Sequence, residues 1–290
     1  MKINVAINGF GRIGRLTLRA FFERKIEKFN VIAINDLGDI KSNIHLLKYD
    51  SVHGTFPFSI REENDLIEID NKKIHFIKEP NPNHLPWNKL NIDLVIESTG
   101  VFTDRDKAYM HINAGAKRVI ISAPSQNPDI TVVFGINHKM IKDEHKIISN
   151  GSCTTNCLAP IALLMDNSVG IESGYMTTVH SVTGDQNTID TLHKDLRRAR
   201  NSLVSIIPTS TGAARAMGEV LPNLKGKIDG SAIRVPTPNV SLVDFKFYSK
   251  KSTTSSELKN IFLKAENNEL KSIIQTVSDP MVSGDFNHNP

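Results

Sequence analysis

Residues 3–8 (Ile-Asn-Val-Ala-Ile-Asn) alternate apolar and polar positions at the start, a pattern that predicts a strand. Gly9-Phe10-Gly11-Arg12-Ile13-Gly14 interrupts it, and Ile13, Leu16, Leu18, Ala20 and Phe21 then follow helical spacing. Val31-Ile32-Ala33-Ile34-Asn35-Asp36 is a second strand. Strand, glycine loop, helix and strand in close succession predict parallel pairing through a right-handed crossover. Between 55 and 78 the texture changes to short alternating strands with a turn at Asp70-Asn71, which predicts an inserted hairpin. Parallel-sheet material resumes at Leu94-Val95-Ile96-Glu97-Ser98. A helix near 105–114 follows, then strands at Arg118–Ser122, Val132-Val133-Phe134 and Lys146–Ser149. From about residue 151 the pattern shifts to a helix from Ser152 to about Met165 and longer strand-rich segments at 173–182, 228–235 and 240–249. Residues 183–206 are polar, Arg-rich and poor in strand signal; a loop this long is usually functional or disordered. Ser255 to Glu266 predicts a helix capped by Ser255 or Ser256. The chain divides into two domains meeting near residue 150.

Composition agrees with that division. At 290 residues the chain is long enough for two domains of roughly 150 residues each, and 39% hydrophobic residues can fill both cores. Charged residues at 23%, together with 13 Phe, exclude a disordered chain. No run of about 18 apolar residues offers a transmembrane helix. Met1–Asn8 reads as a folded strand and not as a leader. The two cysteines, Cys153 and Cys157, are too few and too close for a disulfide framework, which makes a reducing cytoplasm the expected location. A net charge of +4 is compatible with anionic small substrates.

The glycine loop has the context that dinucleotide binding requires, between a strand and a helix, with Asp36 ending the next strand about 20 residues on. Gly9 would make the tight turn, Gly11 would let the backbone approach a pyrophosphate, and Gly14 would permit close helix–strand packing. Asp36 would bond the adenosine ribose hydroxyls and repel a 2′-phosphate, so NAD is the expected cofactor. Ser149 to Cys157 lies between a strand and a helix, placing Cys153 in a first helical turn where the dipole favours a thiolate. Cys157 reads as a small buried apolar residue. No second cluster of Cys or His accompanies the pair at metal-ligand spacing, so no metal is expected. A nucleophilic thiol needs a base, and His180, ending an apolar strand at the mouth of the polar loop, is the best placed of ten histidines.

Together these residues resemble the phosphorylating glyceraldehyde-3-phosphate dehydrogenases. The likeness runs through Asn8–Arg15, Tyr49–Gly54, Ser149–Pro160, His193–Arg200 and Arg234–Ser241, and covers essentially the whole chain. It implies an α/β fold: an N-terminal Rossmann-like doubly wound parallel sheet over 1–151, and an α+β catalytic domain with a mostly antiparallel sheet over 152–290. It implies oxidation of glyceraldehyde 3-phosphate with NAD, Cys153 as nucleophile and His180 as its partner. The cofactor would be held by Gly9, Phe10, Gly11, Arg12, Ile13, Gly14, Asp36, Thr99 and Ser122. Thr183 and Arg234 would hold the substrate phosphate; Ser152, Thr154, Thr211 and Gly212 would hold the attacking inorganic phosphate, with Arg198 also serving phosphate. The Arg-rich stretch 194–200 contains Asp195 and no aromatics, so nucleic-acid binding is not indicated. In the family this loop lies near a neighbouring subunit's cofactor, implying a homotetramer with no membrane partner.

The sequence also departs from the family. It ends at Asp285-Phe286-Asn287-His288-Asn289-Pro290 where relatives continue for roughly another tenth of their length, which reads as an incomplete sequence or a truncated product. Gly151 stands where Ala is usual, Val182 where an aromatic is common, and Pro80 where an Arg often sits near the ribose. Two alternatives stay open: an erythrose-4-phosphate dehydrogenase with the same Cys–His machinery, and a catalytically idle nucleotide-binding protein.

Overall fold

The computed structural model describes residues 2–289; Met1, at the head of the first predicted strand, and Pro290 lie outside the described residues. The chain forms two compact units. One runs to Val132 and includes Met140–Gly151; the other takes Val133–Lys139 and the chain from Ser152 onward.

The first unit is built on β1 (Ile3–Asn8), α1 (Arg12–Glu23), β2 (Phe29–Asn35), α2 (Ile40–Lys48) and the short pair β3 (Tyr49–Asp50) and β4 (Gly54–Thr55). It continues through β5 (Ile60–Glu63), β6 (Leu66–Ile69), β7 (Lys72–Ile77), β8 (Leu94–Glu97), α3 (Arg105–Asn113), β9 (Arg118–Ile121), β10 (Ile130–Thr131) and β11 (Ile147–Ser149). Its main sheet has the order β10-β11-β9-β8-β1-β2-β7-β6-β5. β1 pairs in parallel with β2 on one side and β8 on the other. Strand alternation sends neighbouring residues to opposite faces. Ile7 and Ile34 enter an apolar cluster with Phe10, Leu18 and Phe22, while Ala6 and Ala33 enter another with Trp87, Val95 and Val119. A sheet buried on both faces explains why its strands read as nearly unbroken apolar runs.

The inserted hairpin is larger than expected. It is a three-stranded meander in which β5 and β6 pair antiparallel, β6 and β7 pair antiparallel, and β7 joins β2 in parallel, so it extends the main sheet. Asp70 and Asn71 turn with φ of 49° and 65°, both left-handed, as a two-residue hairpin turn requires. The strand expected at Val132–Phe134 lies earlier, at β10. Asn137 Oδ1 accepts the Val133 N–H at 2.8 Å, and Val133 packs into the core of the second unit, which ends the ladder.

The second unit contains α4 (Cys153–Ser168), β12 (Ile171–His180), β13 (Ile207–Thr209), α5 (Ala213–Val220), β14 (Ile228–Arg234), β15 (Leu242–Ser249) and α6 (Ser255–Asn267). Its sheet order is β13-β14-β12-β15, antiparallel except for the β12–β14 pair. Leu158, Ala162 and Met165 of α4 pack with Ile171, Met176 and Met217 to form its core. In the parallel pair, His180 and Arg234 are register partners at the C-terminal ends of their strands. The stretch 183–206 carries no strand; its own contacts brace it, among them Arg200–Asp190 at 3.0 Å and Ser202 Oγ donating to Asn187 O at 2.8 Å. Among the described residues, no helix is long and apolar enough to cross a membrane.

The cap of α6 is Thr254 and neither of the serines expected. Thr254 Oγ1 accepts the Glu257 N–H, and Glu257 Oε2 accepts the Thr254 N–H in return. The reciprocal pair wins because it satisfies two otherwise free donors at once. Replacing Thr254 by Ala should therefore cost about 1 kcal/mol in urea unfolding. Ser255→Ala and Ser256→Ala should each stay within about 0.5 kcal/mol of the parent.

Candidate active site

In the first unit, the chain leaves β1 toward β2 and later returns to its other side as β8. That reversal opens a crevice at the C-terminal ends of parallel strands, the place where open α/β sheets bind ligands. A cavity of about 400 Å³ occupies it, lined among others by Asn8, Gly9, Gly11, Asp36, Pro80 and Thr99. Gly9 has φ +89°, and a Cβ there would lie 2.6 Å from Thr99 N. A Cβ on Gly14 would lie 2.2 Å from Gly9 O, so helix and strand approach as closely as the sequence pattern requires. A Cβ on Gly11 would meet no atom within 4 Å. Gly11 caps α1 without a side-chain hydrogen bond, and the first turn carries no acidic residue. Free N–H groups and the positive end of the helix dipole thus face an open approach, which fits a pyrophosphate.

Asp36 Oδ2 accepts the Phe10 N–H at 2.7 Å and Oδ1 accepts the Gly38 N–H at 2.8 Å. Asn43 Nδ2 also donates to Oδ1, at 3.4 Å, so the carboxylate braces the glycine loop and Oδ2 keeps a second lone-pair direction for a ribose hydroxyl. This donor set fits NAD. Other expected cofactor residues stand further back. Phe10 is a core side chain, Arg12 is tied to Asp50 at 3.0 Å, Ile13 is exposed, and Ser122 donates its N–H to Glu97 O at 2.9 Å. Asn8, Asn35, Leu37, Glu79 and Phe102 also line the cavity and were not anticipated. For Asn8 and Asn35 a signal existed, since both end strands flanking the switch point.

In the second unit, Ser152 caps α4 through Oγ, which accepts the Thr155 N–H at 3.0 Å, so Cys153 is the first helical residue. Its Sγ lies 3.1 Å from His180 Nε2, bringing together residues 27 positions apart. The hydrogen bond with His180 pulls the Cys153 thiol below its ordinary value against partial desolvation, with Thr154 helping. Cys157 departs from expectation in keeping an exposed face. Protein around the rest of its sulfur nevertheless strips away water, and this desolvation, with the Cys153 charge, pushes its thiol up.

His180 is buried, and its Nδ1 lies 2.7 Å from Ser181 O. Arg234 Nη1 sits 2.7 Å from the same Nδ1 and donates to Ser181 O at 2.8 Å. Arg234 Nε is buried without a partner. Arg198 pairs with Asp185 and reaches Thr209 Oγ1 from Nε at 3.2 Å. Asp185 and Thr209 were not foreseen, and Arg198 is thereby tied within the protein. The hydroxyl of Thr183 donates to Gln186 Oε1 at 3.1 Å, and Thr211 Oγ1 accepts the Ala213 N–H at 3.2 Å. Thr154 is buried, and Gly212 caps α5 with no side-chain hydrogen bond. A nucleophile, an imidazole and two guanidinium groups thus belong to one unit, an arrangement suited to thiol addition on an anionic carbonyl compound.

Comparison with known proteins gives concordant matches. Residues 152–290 match the family model described as glyceraldehyde 3-phosphate dehydrogenase, C-terminal domain, and residues 3–105 match its NAD binding domain. The glyceraldehyde-3-phosphate dehydrogenase of Xanthobacter flavus is 52% identical over 290 residues, covering 100% of this chain and 87% of the relative. That of Cereibacter sphaeroides is 50% identical, with 100% and 86% covered. The chloroplastic glyceraldehyde-3-phosphate dehydrogenase A of Zea mays is 51% identical over 287 residues, with 98% and 71% covered.

The geometry sets expectations for both units. Iodoacetamide should alkylate Cys153 before Cys157 at neutral pH, because the lowered thiol supplies more thiolate than the raised one. His180→Ala should move the Cys153 midpoint upward in a pH–rate profile, so that the rate at pH 7 falls. Gly14→Ala should destabilise the first unit by about 1–3 kcal/mol through overpacking. Gly11→Ala should change stability by less than about 1 kcal/mol yet weaken NAD binding, as thermal unfolding and dinucleotide titration would separate.

Proposed function

The chain belongs to the glyceraldehyde-3-phosphate dehydrogenase family, and from that premise we propose that Cys153 and His180 carry its NAD-dependent oxidation of glyceraldehyde 3-phosphate. The activity is that of an NAD-dependent dehydrogenase of the glycolytic step. The observation that supports the residue assignment is the 3.1 Å contact between Cys153 Sγ and His180 Nε2 at the start of a helix.

The Cys153 thiolate adds to the aldehyde carbon, and a carbon–sulfur bond forms as the carbonyl electrons move to oxygen. His180, its Nδ1 against the Ser181 carbonyl, carries the thiol proton on Nε2, gives it to that oxygen as negative charge develops, and takes it back as the hydride departs. NAD, when bound at the cavity of the first unit, supplies the two-electron acceptor for the hydride. Loss of hydride leaves a thioester on Cys153. An oxygen of inorganic phosphate attacks the thioester carbonyl, and the Cys153 thiolate leaves, which releases an acyl phosphate.

Thr183 and Arg234 take the substrate phosphate in this reading, and the buried, unpartnered Arg234 Nε supports it, since an anion would supply the missing acceptor. Ser152, Thr154, Thr211 and Gly212 take the attacking phosphate, with the positive end of the α5 dipole as its electrostatic support. Arg198 contributes to the phosphate field from its tie to Asp185. Phe10, Arg12, Ile13, Thr99 and Ser122 act with the glycines and Asp36 on the cofactor side, mostly by shaping the loop and the cavity wall. The division follows chemistry, with a dinucleotide-binding domain over 1–151 and a catalytic domain over 152–290. Leu192 and Leu196 are 99% and 82% exposed on the 183–206 loop, apolar surface that a homotetramer would cover. A reducing cytoplasm is the fitting compartment because it keeps Cys153 a free thiol.

The test is NADH formation from glyceraldehyde 3-phosphate and NAD with and without inorganic phosphate. Turnover should depend on phosphate, and Cys153→Ser should lower it at least about a thousandfold while leaving NAD binding intact. Phosphate-independent turnover, or an active Cys153→Ser variant, would overturn the assignment.

A further inference from the structure

We propose that Glu97 and His111, a buried pair beneath the dinucleotide cavity, are positioning residues that set the geometry of the groups lining it. The proposal rests on the reading of that cavity as the NAD site. Glu97 is 1% exposed and His111 0%, and neither has a part in the thiol chemistry. A carboxylate kept this dry is costly unless its oxygens are fully engaged. Here they are. Oε2 accepts from Asn8 Nδ2 at 2.6 Å and faces His111 Nε2 at 3.1 Å; Oε1 accepts from Thr99 N at 2.8 Å and from Thr99 Oγ1 at 2.5 Å.

The polarity of the chain of hydrogen bonds follows from one end. Trp87 Nε1 lies 3.0 Å from His111 Nδ1, and an indole N–H can only donate. His111 Nδ1 is therefore the acceptor, the ring proton sits on Nε2, and it donates to Glu97. Asn8 must then turn its amide nitrogen to Glu97 and its oxygen to Asn35 Nδ2, which is 2.7 Å away. Asn35 in turn accepts the Glu79 N–H and donates to Glu79 O, each at 2.9 Å. The indole thereby sets the His111 ring, and the Glu97 carboxylate sets the line through Asn8 and Asn35 to Glu79, all three of which line the cavity.

The other oxygen of Glu97 holds the opposite wall. It ties both the N–H and the hydroxyl of Thr99, and Thr99 Oγ1 also accepts the Val101 N–H at 3.0 Å. Thr99 N is also the atom nearest to where a Gly9 Cβ would stand. The carboxylate thus sets how closely the 98–101 loop abuts the glycine turn. Two sides of the cavity are registered against one buried group, and packing alone would be met by an apolar pair.

Glu97→Gln is the test, because an amide presents N–H groups to partners that are themselves donors, at Thr99 or at Asn8 and His111. NAD affinity by calorimetry should fall about tenfold, and KM for NAD should rise by the same factor with kcat within about twofold, since binding is perturbed in ground and transition state alike. Cys153 alkylation should keep the parent rate. Trp87 is the one tryptophan in the sequence, so its indole N–H gives a single 1H–15N resonance. It should shift on NAD addition in the parent, saturating with the calorimetric isotherm, and the shift should be lost in Glu97→Gln. If Glu97→Gln unfolds, seen as that resonance moving to its free-indole position, Trp87→Phe decides: it releases the His111 tautomer and should weaken NAD binding about threefold. A folded Glu97→Gln that binds NAD as the parent does, or a Trp87→Phe unchanged where Glu97→Gln has unfolded, overturns the proposal alone. A parent chain that binds no NAD overturns the cofactor reading and this proposal with it.

Discussion

A thiol is drawn toward its thiolate only where its surroundings favour the charge, and at Cys153 the largest such influence is one contact. Cys153 Sγ meets His180 Nε2 at 3.1 Å. The contact depends on the β12–β14 register, which sets His180 beside Arg234, and on the Ser152 cap, which starts α4 at Cys153 and no later. A slip of one residue in β12 would turn His180 to the other face of its sheet. Arg234, which ends β14, and Thr183, which follows β12 closely, rest on the same register.

The first unit solves a different problem, the approach of a highly charged ligand to backbone. Gly11 leaves the space open, and Gly9 and Gly14 let strand, loop and helix lie closer than any side chain allows. Asp36 braces the loop, since its carboxylate accepts the Phe10 N–H through one oxygen and the Gly38 N–H through the other. Beneath these, polar residues at the ends of β1, β2 and β8 form a hydrogen-bonded layer that runs from Trp87 to Glu79.

Much of this was legible in the residues themselves. The glycine loop, Asp36, the helix beginning near Cys153 and the strand ending at His180 all stand where periodicity and turn chemistry put them. The exceptions have local physical causes. Val132–Phe134 looks like a strand by β-branched content, but Asn137 captures the Val133 N–H. Ser255 and Ser256 are good caps by type, but only Thr254 has a Glu three residues on to complete the reciprocal pair. Cys157 is apolar by character, yet α4 turns that position outward. Arg198 is expected to serve phosphate, and the structure sets Asp185 against it.

By itself the sequence determined the local elements and the residue types at the site, because strand alternation, helix caps and glycine turns are decided by neighbours within a few positions. It also carried the family likeness that names the chemistry. Only the tertiary structure decided which histidine of the ten meets the thiol, that Arg234 stands behind it, and that Glu97 and His111 meet beneath the cofactor cavity. Those pairings join residues far apart along the chain through sheet order, strand register and helix packing. Such contacts are set by long-range burial and pairing, and no local pattern of residues encodes them.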